Sequence, residues 1–440
     1  MFTVNPYSLF NKHSLGLVLC SGFFFILFSG TTHVLNGVLV GLMGLWGVLY
    51  NSPREKWRLL KQRPHLWCIT AFFVWLWVSL FFSDNQSRGF RYMDTRLALF
   101  YLPVSMGLLN IPKGFRDRIL LLFAGVTTLA LLYCFAVVLP ASIQANETAL
   151  LYNDSLTQPL YRQSIYIAVL VNIAIFILGY WIFFKPISSW FKACLVLALL
   201  FLFISSYFLA SRNALIVLAL SIVIFCGYGI VKRRSYLMGG TMLLALAMSA
   251  FAVYKFSPKT VNRFREMAYT NYQFEHEGVQ SHYDMKVTAD QWNGANLRLA
   301  LWRCGWEVFL SHPVVGTGLG DKLDALVVKY AEKKFWFAQR GKFNVHSNYL
   351  DVLYSTGAIG LLLMVAGWVA LPLRRLWHQG FGLGFLIIAN LAVAFITEIY
   401  FDRTIGGMIT GFFIPFLLNS VYEKQPPKTI ALQKNEAWAT

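Results

Sequence analysis

Residues 344–360 read Asn-Val-His-Ser-Asn-Tyr-Leu-Asp-Val-Leu-Tyr-Ser-Thr-Gly-Ala-Ile-Gly, and this stretch decides what kind of fold the chain can adopt. It joins the one long polar segment, roughly 255–345, to a hydrophobic run that continues to about Leu373. His346 therefore stands where a water-exposed segment enters a membrane, at the N-terminal end of a predicted transmembrane helix. Unpaired N–H groups give that end positive partial charge, which biases a histidine toward its neutral, proton-accepting form. Gly357 and Gly360 lie about three turns deeper and would let another helix approach closely. An interfacial histidine above a packing pair of glycines is the plainer reading of the same residues.

The rest of the chain has the character of this stretch. Its 440 residues are 57% hydrophobic, 17% aromatic and 13% charged, against about 25% charged in soluble domains. Apolar runs recur along most of the length and predict an all-α polytopic membrane protein. About twelve spans can be read, near 14–30, 33–50, 66–83, 97–110, 119–139, 163–183, 193–210, 213–230, 236–254, 347–371, 381–399 and 405–420. The span near 97–110 is short and could begin earlier. The first run lacks a small-residue cleavage site and continues almost directly into the second, so it reads as a retained helix.

Charge sets the orientation. Short loops on one side carry Arg54, Lys56, Arg58, Lys61, Arg63, Lys113, Arg116, Arg118, Lys185, Lys192, Lys232, Arg233, Arg234, Arg374 and Arg375. The other side has only Arg88, Arg91, Arg96, Arg162, Arg212 and Arg403. The richer set belongs in the cytoplasm. The chain then divides into helices 1–9 (1–254), a periplasmic loop domain (255–345), helices 10–12 (346–420) and a cytoplasmic tail (421–440). The inner face reads as plain lysine and arginine without acidic partners. The formal net charge of +18 is thus spread as topology signals, and no nucleic-acid partner is expected.

Cys20, Cys68, Cys134, Cys194, Cys226 and Cys304 show no ligand spacing and fit neither a disulfide framework nor a zinc site. In the polar segment, Asn296 to Leu310 places apolar residues at three- and four-residue spacing, as an amphipathic helix lying on the membrane surface would. His312-Pro313 ends it. Gly316-Thr317-Gly318-Leu319-Gly320 makes a flexible turn before a second helix near 321–338. Such a turn can cradle phosphate, but this one lacks the lysine and strand of a nucleotide loop.

Ionisable groups gather on the outer face. Arg212 sits in the minimal turn Ser211-Arg212-Asn213-Ala214, where helix-start N–H groups and a guanidinium fork suit a phosphate. An anchor reaching lipid headgroups is the competing reading. Glu398, Asp402 and Arg403 close the next-to-last outer turn, and Glu398 should pair with Arg403 or an arginine from elsewhere. Arg88, Arg91, Asp94 and Arg96 form the first outer cluster, Arg162 opens a helix beside Tyr161, and Arg298 begins the amphipathic segment. This face could bind a lipid-linked anion, with Arg88, Arg91, Arg162, Glu398 and Arg403 as substrate-binding candidates.

Two motifs resemble those of a known family. Ser211-Arg212-Asn213-Ala214, and His346-Ser347 followed after nine residues by Gly357-Ala358-Ile359-Gly360, are similar to signatures of bacterial O-antigen ligases, which share a superfamily with O-antigen polymerases and protein O-oligosaccharyltransferases. The run from Asn296-Leu297-Arg298 to Pro313 and Gly316-Thr317-Gly318 resembles what precedes the histidine there. The resemblance implies a membrane-embedded glycosyltransferase of GT-C-like architecture that uses no nucleotide sugar. It implies transfer of O-antigen from undecaprenyl pyrophosphate to a lipid A–core hydroxyl, at the periplasmic face of the inner membrane. Arg212 and Arg298 would hold the pyrophosphate and His346 would act on the acceptor hydroxyl.

Physical chemistry accommodates those roles. Pyrophosphate leaves as a stable anion that arginines can hold without a metal, and a sugar hydroxyl needs a base poised near neutral pH. Direct displacement with one base inverts the anomeric centre. No Asp-x-Asp motif marks a metal on the outer face, so no cofactor is expected. Glu398 and Asp402 remain alternative bases. An O-antigen polymerase with the same donor is the nearest rival function. A lipid-linked sugar transporter is the rival of another class, disfavoured because no repeat is found and the ionisable groups lie at one surface rather than at mid-membrane.

Overall fold

The computed structural model describes residues 12–31, 33–50, 52–234, 236–256, 258–280 and 291–420. The tail at 421–440 lies outside the described residues. Helices follow the apolar runs: α1 (Lys12–Leu27), α2 (His33–Tyr50), α3 (Pro53–Gln62), α4 (Pro64–Phe81), α5 (Gln86–Met106), α6 (Lys113–Ala145), α7 (Asn153–Thr157), α8 (Ser164–Phe184), α9 (Ser189–Leu209), α10 (Arg212–Arg233) and α11 (Tyr236–Phe256). The polar segment contributes α12 (Pro258–Arg265), α13 (Asn296–Ser311), α14 (Lys322–Glu332) and α15 (Trp336–Gly341). The chain then forms α16 (Asn348–Met364), α17 (Leu371–His378), α18 (Gly382–Thr397) and α19 (Thr404–Asn419). A π turn, Val365–Ala370, joins α16 to α17.

Among the described residues there is no strand, only an isolated bridge between Gln280 and Trp292. A helix stands at each of the twelve stretches read as spans. Five are long and apolar enough to cross a membrane: Pro64–Phe81, Lys113–Ala145, Ser164–Phe184, Ser189–Leu209 and Asn348–His378. Shorter apolar helices include Leu15–Leu27, Gly37–Tyr50, Arg212–Gly227, Gly382–Thr397 and Thr404–Asn419. The described residues are nearly all helical, as in a polytopic membrane protein.

Helix α19 runs through the centre, with every residue from Ile405 to Asn419 buried. It lies close on α5 because Gly407 and Gly411 present no side chain to Thr95 and Ala98, the close approach that small residues permit. Phe412 stacks on Phe23 of α1 at 5.0 Å and meets Phe24 edge-on at 5.1 Å.

The span expected near 97–110 begins earlier, at Gln86, so α5 carries the first outer cluster of charges on its leading turns. They are tolerated because acidic partners reach them: Arg88 pairs with Asp324 at 2.6 Å, and Arg96 with Asp351 and Asp402. The inner face also departs from expectation. Arg116 and Lys185 both bind Asp117, at 2.6 and 2.5 Å, and Asn110 donates to Glu55 at 3.2 Å. Asp117, between two basic residues, is buried and shared by cations from α6 and from the residue after α8, so that end does have acidic partners.

The polar segment has its own core, in which Trp292, Leu301, Tyr330, Phe335, Val345 and Tyr354 pack together. Its second predicted helix is two, because Lys334 adopts φ +55° and Phe335 turns its N–H back to the Tyr330 carbonyl at 2.8 Å. Helix α13 buries Leu297, Ala300, Leu301, Cys304 and Val308, and leaves Leu299, Trp306 and Leu310 exposed. Burial pushes the Cys304 thiol up to about 12, which keeps it an inert filler.

The predicted flexible turn is pinned. The N–H groups of Thr317 and Gly318 donate to the carbonyls of Tyr354 and Ser355, each at 3.0 Å. Those of Leu319 and Gly320 donate to the hydroxyls of Ser79 and Ser83, at 2.9 and 3.0 Å. Four consecutive donors that could face a phosphate are engaged within the protein.

Candidate active site

Helix α9 stops abruptly because Ala210 takes the left-handed conformation at φ +48°, and α10 begins two residues later at Arg212. The turn is as tight as the sequence implied, and it sets Arg212 at the first position of α10. Arg298 lies in the first turn of α13. Their guanidinium groups meet at Gly294: a β-carbon there would run into the Arg212 guanidinium and come within 3.2 Å of Arg298 Nη1. Arg298 is anchored by donating from Nη1 to the Gly294 carbonyl at 2.7 Å and from Nε to the Thr397 carbonyl at 3.3 Å. Asn213 donates to the Thr397 hydroxyl. Thr397 thus ties both arginine-bearing turns to the end of α18.

The next residue is Glu398. Its Oε2 lies 3.2 Å from His346 Nδ1, and its Oε1 accepts the Ile399 N–H at 3.0 Å. A carboxylate can only accept, so Nδ1 is the donor in this pair, and in a neutral ring Nε2 is then the acceptor. Burial opposes ionisation of Glu398, yet the His346 hydrogen bond and charge, the Ile399 N–H and the nearby Arg298 hold its carboxyl below the usual range. Glu398 therefore pairs with the histidine, where an arginine partner such as Arg403 was expected.

His346 precedes the helix. Ser347 is the N-cap, its hydroxyl accepting the Leu350 N–H at 3.4 Å, and α16 starts at Asn348. His346 itself sits at φ +45°, a conformation that costs a non-glycine residue about 1–3 kcal/mol. Asn344 supports it by accepting the His346 N–H at 2.9 Å. The side chain stays 28% exposed, so the ring is reachable from outside.

A second charged cluster is largely buried. Arg96, Lys322, Asp351 and Asp402 come from four different parts of the chain. Arg96 donates to Asp402 from Nε at 3.0 Å and Nη2 at 2.6 Å, and to Asp351 at 3.2 Å. Lys322 donates to both oxygens of Asp351, at 3.0 and 2.8 Å, and to the second oxygen of Asp402. The Tyr354 hydroxyl adds a bond to Asp351 at 3.1 Å. Burial works against the charge of Lys322, but the two aspartates hold its ammonium above the usual value. Burial likewise opposes the charge of Asp402, but Lys322 and Arg96 keep that carboxyl well below its usual range. With both oxygens bound to cations, Asp402 is a poor proton acceptor.

The structure thus brings together His346, Glu398, Arg212 and Arg298, and disperses the other candidates. Arg88 is spent on Asp324. Arg162 caps the end of α1 by donating to the Ser29 carbonyl at 2.7 Å. Arg91 is exposed on α5, and Arg403 is exposed at the start of α19 near the Tyr166 hydroxyl. Asn213 was marked only as part of the Ser211-Arg212-Asn213-Ala214 motif, and Gly294 and Thr397 had no sequence signal. Lys322 and Asp351 had one that went unused: an acid inside the apolar run Leu350-Asp351-Val352 demands a cation. Among the described residues no three His, Cys, Asp or Glu side chains gather as a metal site.

Fold and site together define a polytopic helical membrane protein that carries a histidine–carboxylate pair and two converging arginines at one end of its bundle. Residues 197–365 match the O-antigen ligase family, and that span contains Arg212, Arg298 and His346. No match is found among curated proteins.

Proposed function

We propose that the protein is an O-antigen ligase, transferring polysaccharide from undecaprenyl pyrophosphate to a hydroxyl of lipid A–core at the periplasmic face of the inner membrane. The observation that carries this reading is the His346–Glu398 pair set beside Arg212 and Arg298, on one side of a helical bundle. Twelve helices would cross the membrane with the lysine- and arginine-rich loops in the cytoplasm.

His346 Nε2 removes the acceptor hydroxyl proton as the oxygen attacks the anomeric carbon. The bond from that carbon to the pyrophosphate oxygen breaks on the opposite side, inverting the centre. Arg212 and Arg298 hold the departing anion by paired N–H bonds. Glu398 fixes the imidazole tautomer and stabilises the imidazolium that forms. No step requires a metal. Thr397 couples the two halves, since it binds Arg298 and Asn213 and directly precedes Glu398.

A deletion strain tests the reading against the polymerase alternative. A ligase mutant accumulates polymerised lipid-linked chains and bare core; core capped by single repeats would instead assign a polymerase. In vitro, purified protein should join lipid-linked polysaccharide to lipid A–core without a nucleotide sugar.

A further inference from the structure

Helix α16 is interrupted where its glycine motif begins. Gly357 has φ +72° and ψ −174°, and a β-carbon there would strike the Val314 carbonyl. The break deprives the preceding carbonyls of helical partners, and other groups take them. Tyr354 and Ser355 accept the N–H groups of Thr317 and Gly318 at 3.0 Å, and Thr356 accepts Trp75 Nε1 at 2.8 Å. On the far side, Ala358 donates to the Pro313 carbonyl at 2.9 Å. Within lipid every backbone polar group must find a protein partner. The turn at 313–318 is therefore a built part of this helix and must sit at whatever depth the helix breaks.

That depth can be counted. Arg374 and Arg375 mark one interface, and 20 residues, including the π turn Val365–Ala370 and the break at Gly357, lead back over at most about 30 Å to Tyr354 near the other. The turn thus lies at the interface on the side of the polar segment. Residues 308–320 contain no Asp, Glu, Lys or Arg. Leu310 and Val314 are 57% and 58% exposed, and Trp306 and Val315 are exposed with them. This apolar corner continues the outward face of α16, where Leu362 is 70% exposed, and adjoins exposed Phe81 and Phe82 beside Ser83.

We propose that Trp306, Leu310, Val314 and Val315 form a membrane-inserted wedge, seated among the lipids of the leaflet nearest the polar segment. The occupant is lipid because residues 308–320 are uncharged, continuous with a lipid-facing helix and at interfacial depth; Trp306, next to the Glu307 ion pairs with Arg303 and Lys333, stands at the wedge's polar edge, where Trp is favoured. It would hold the polar segment, and with it Arg298, at a fixed height above the bilayer. This rests on α16 crossing the membrane.

The test is a nitroxide on Val315→Cys, and separately on Leu310→Cys, with the full-length protein in phospholipid nanodiscs. The unsubstituted protein measures labelling of the native cysteines, and Leu362→Cys and Glu332→Cys are references for lipid and water. Collisions with oxygen and with a soluble nickel chelate are compared. Both wedge positions should be oxygen-accessible and chelate-protected, as Leu362 is, while Glu332 meets the chelate. Chelate access at Val315 and Leu310 with Leu362 protected would overturn the wedge and leave the span intact. Protection from both reagents would overturn it in favour of a protein partner or a second copy. Chelate access at Leu362 would overturn the span and the wedge together.

Discussion

Two charged clusters lie within a few residues of each other on the same loop, and they are built oppositely. Asp402 belongs to a quartet in which each carboxylate oxygen has a cation and the side chains of Arg96, Lys322 and Asp351 are buried, Asp402 itself being 16% exposed. Glu398, four residues earlier, faces a partly exposed histidine. A saturated ion network in a low-dielectric site resists change and fixes the elements that donate to it. A pair with one ring nitrogen left as an acceptor can move a proton. The difference separates what holds this end of the bundle together from what can act.

The comparison breaks first if the quartet is not structural. Removing one member of a buried network leaves the others uncompensated, a loss of about 3–5 kcal/mol. Lys322→Ala should therefore reduce the folded yield sharply, as followed by size-exclusion and thermal unfolding in detergent, while the surviving molecules retain transfer. Folded yield at the wild-type level would return the quartet to the list of reactive groups.

On the open side, Arg298→Ala should cost about two to three orders of magnitude in transfer, as removal of one preorganised donor to a developing anion does. Arg212→Lys should also be poor because lysine lacks the planar fork. Purified variants assayed with lipid-linked donor check both, and wild-type turnover in either would remove the arginines from the leaving-group site.

Glu398→Gln should fold and lose about ten- to hundredfold, from the roughly 1.5–3 kcal/mol of a hydrogen bond to a charged group. The pH dependence has a definite sign. Glu398 is held below its ordinary value of 4.5, so its stabilising contribution is complete above that value and is lost as pH falls through the lower folded value. Stability attributable to Glu398, measured as the difference in unfolding between wild type and Glu398→Gln, should be lost in acid, below the ordinary carboxylate value.

The smallest effect is expected at Gly294. An added β-carbon must displace the Arg212 guanidinium, a flexible group, so Gly294→Ala should leave stability nearly unchanged. Transfer should fall on the order of tenfold, less than the hundredfold that an ångström of misplacement can cost. An unfolding shift without a rate effect would show that the guanidinium does not need its observed place.

Much of the fold was legible because a bilayer imposes long apolar runs, and a helix stands at every run that was read. The beginning of α5 was less so: its arginines look like loop residues until Asp324, Asp351 and Asp402 are known to reach them. Arg212, Arg298 and His346 were singled out by helix ends and by the motifs around them. Their assembly was not legible. His346 and Glu398 are 52 residues apart, and the pairing depends on a left-handed turn at His346 that nothing in the residue itself announces. Gly357 was read as a helix-packing glycine, since its positive φ appears only once the loop at Val314 is in place.

The most direct measurement is transfer per folded molecule of purified His346→Ala, with defined donor and acceptor, alongside donor binding. The ring lies outside the helix and carries little packing, so the variant should fold and bind donor as the wild type does. Transfer should fall by about two to four orders of magnitude, the range of general-base assistance. A folded His346→Ala protein with near-normal transfer would contradict the assignment of His346 as the base.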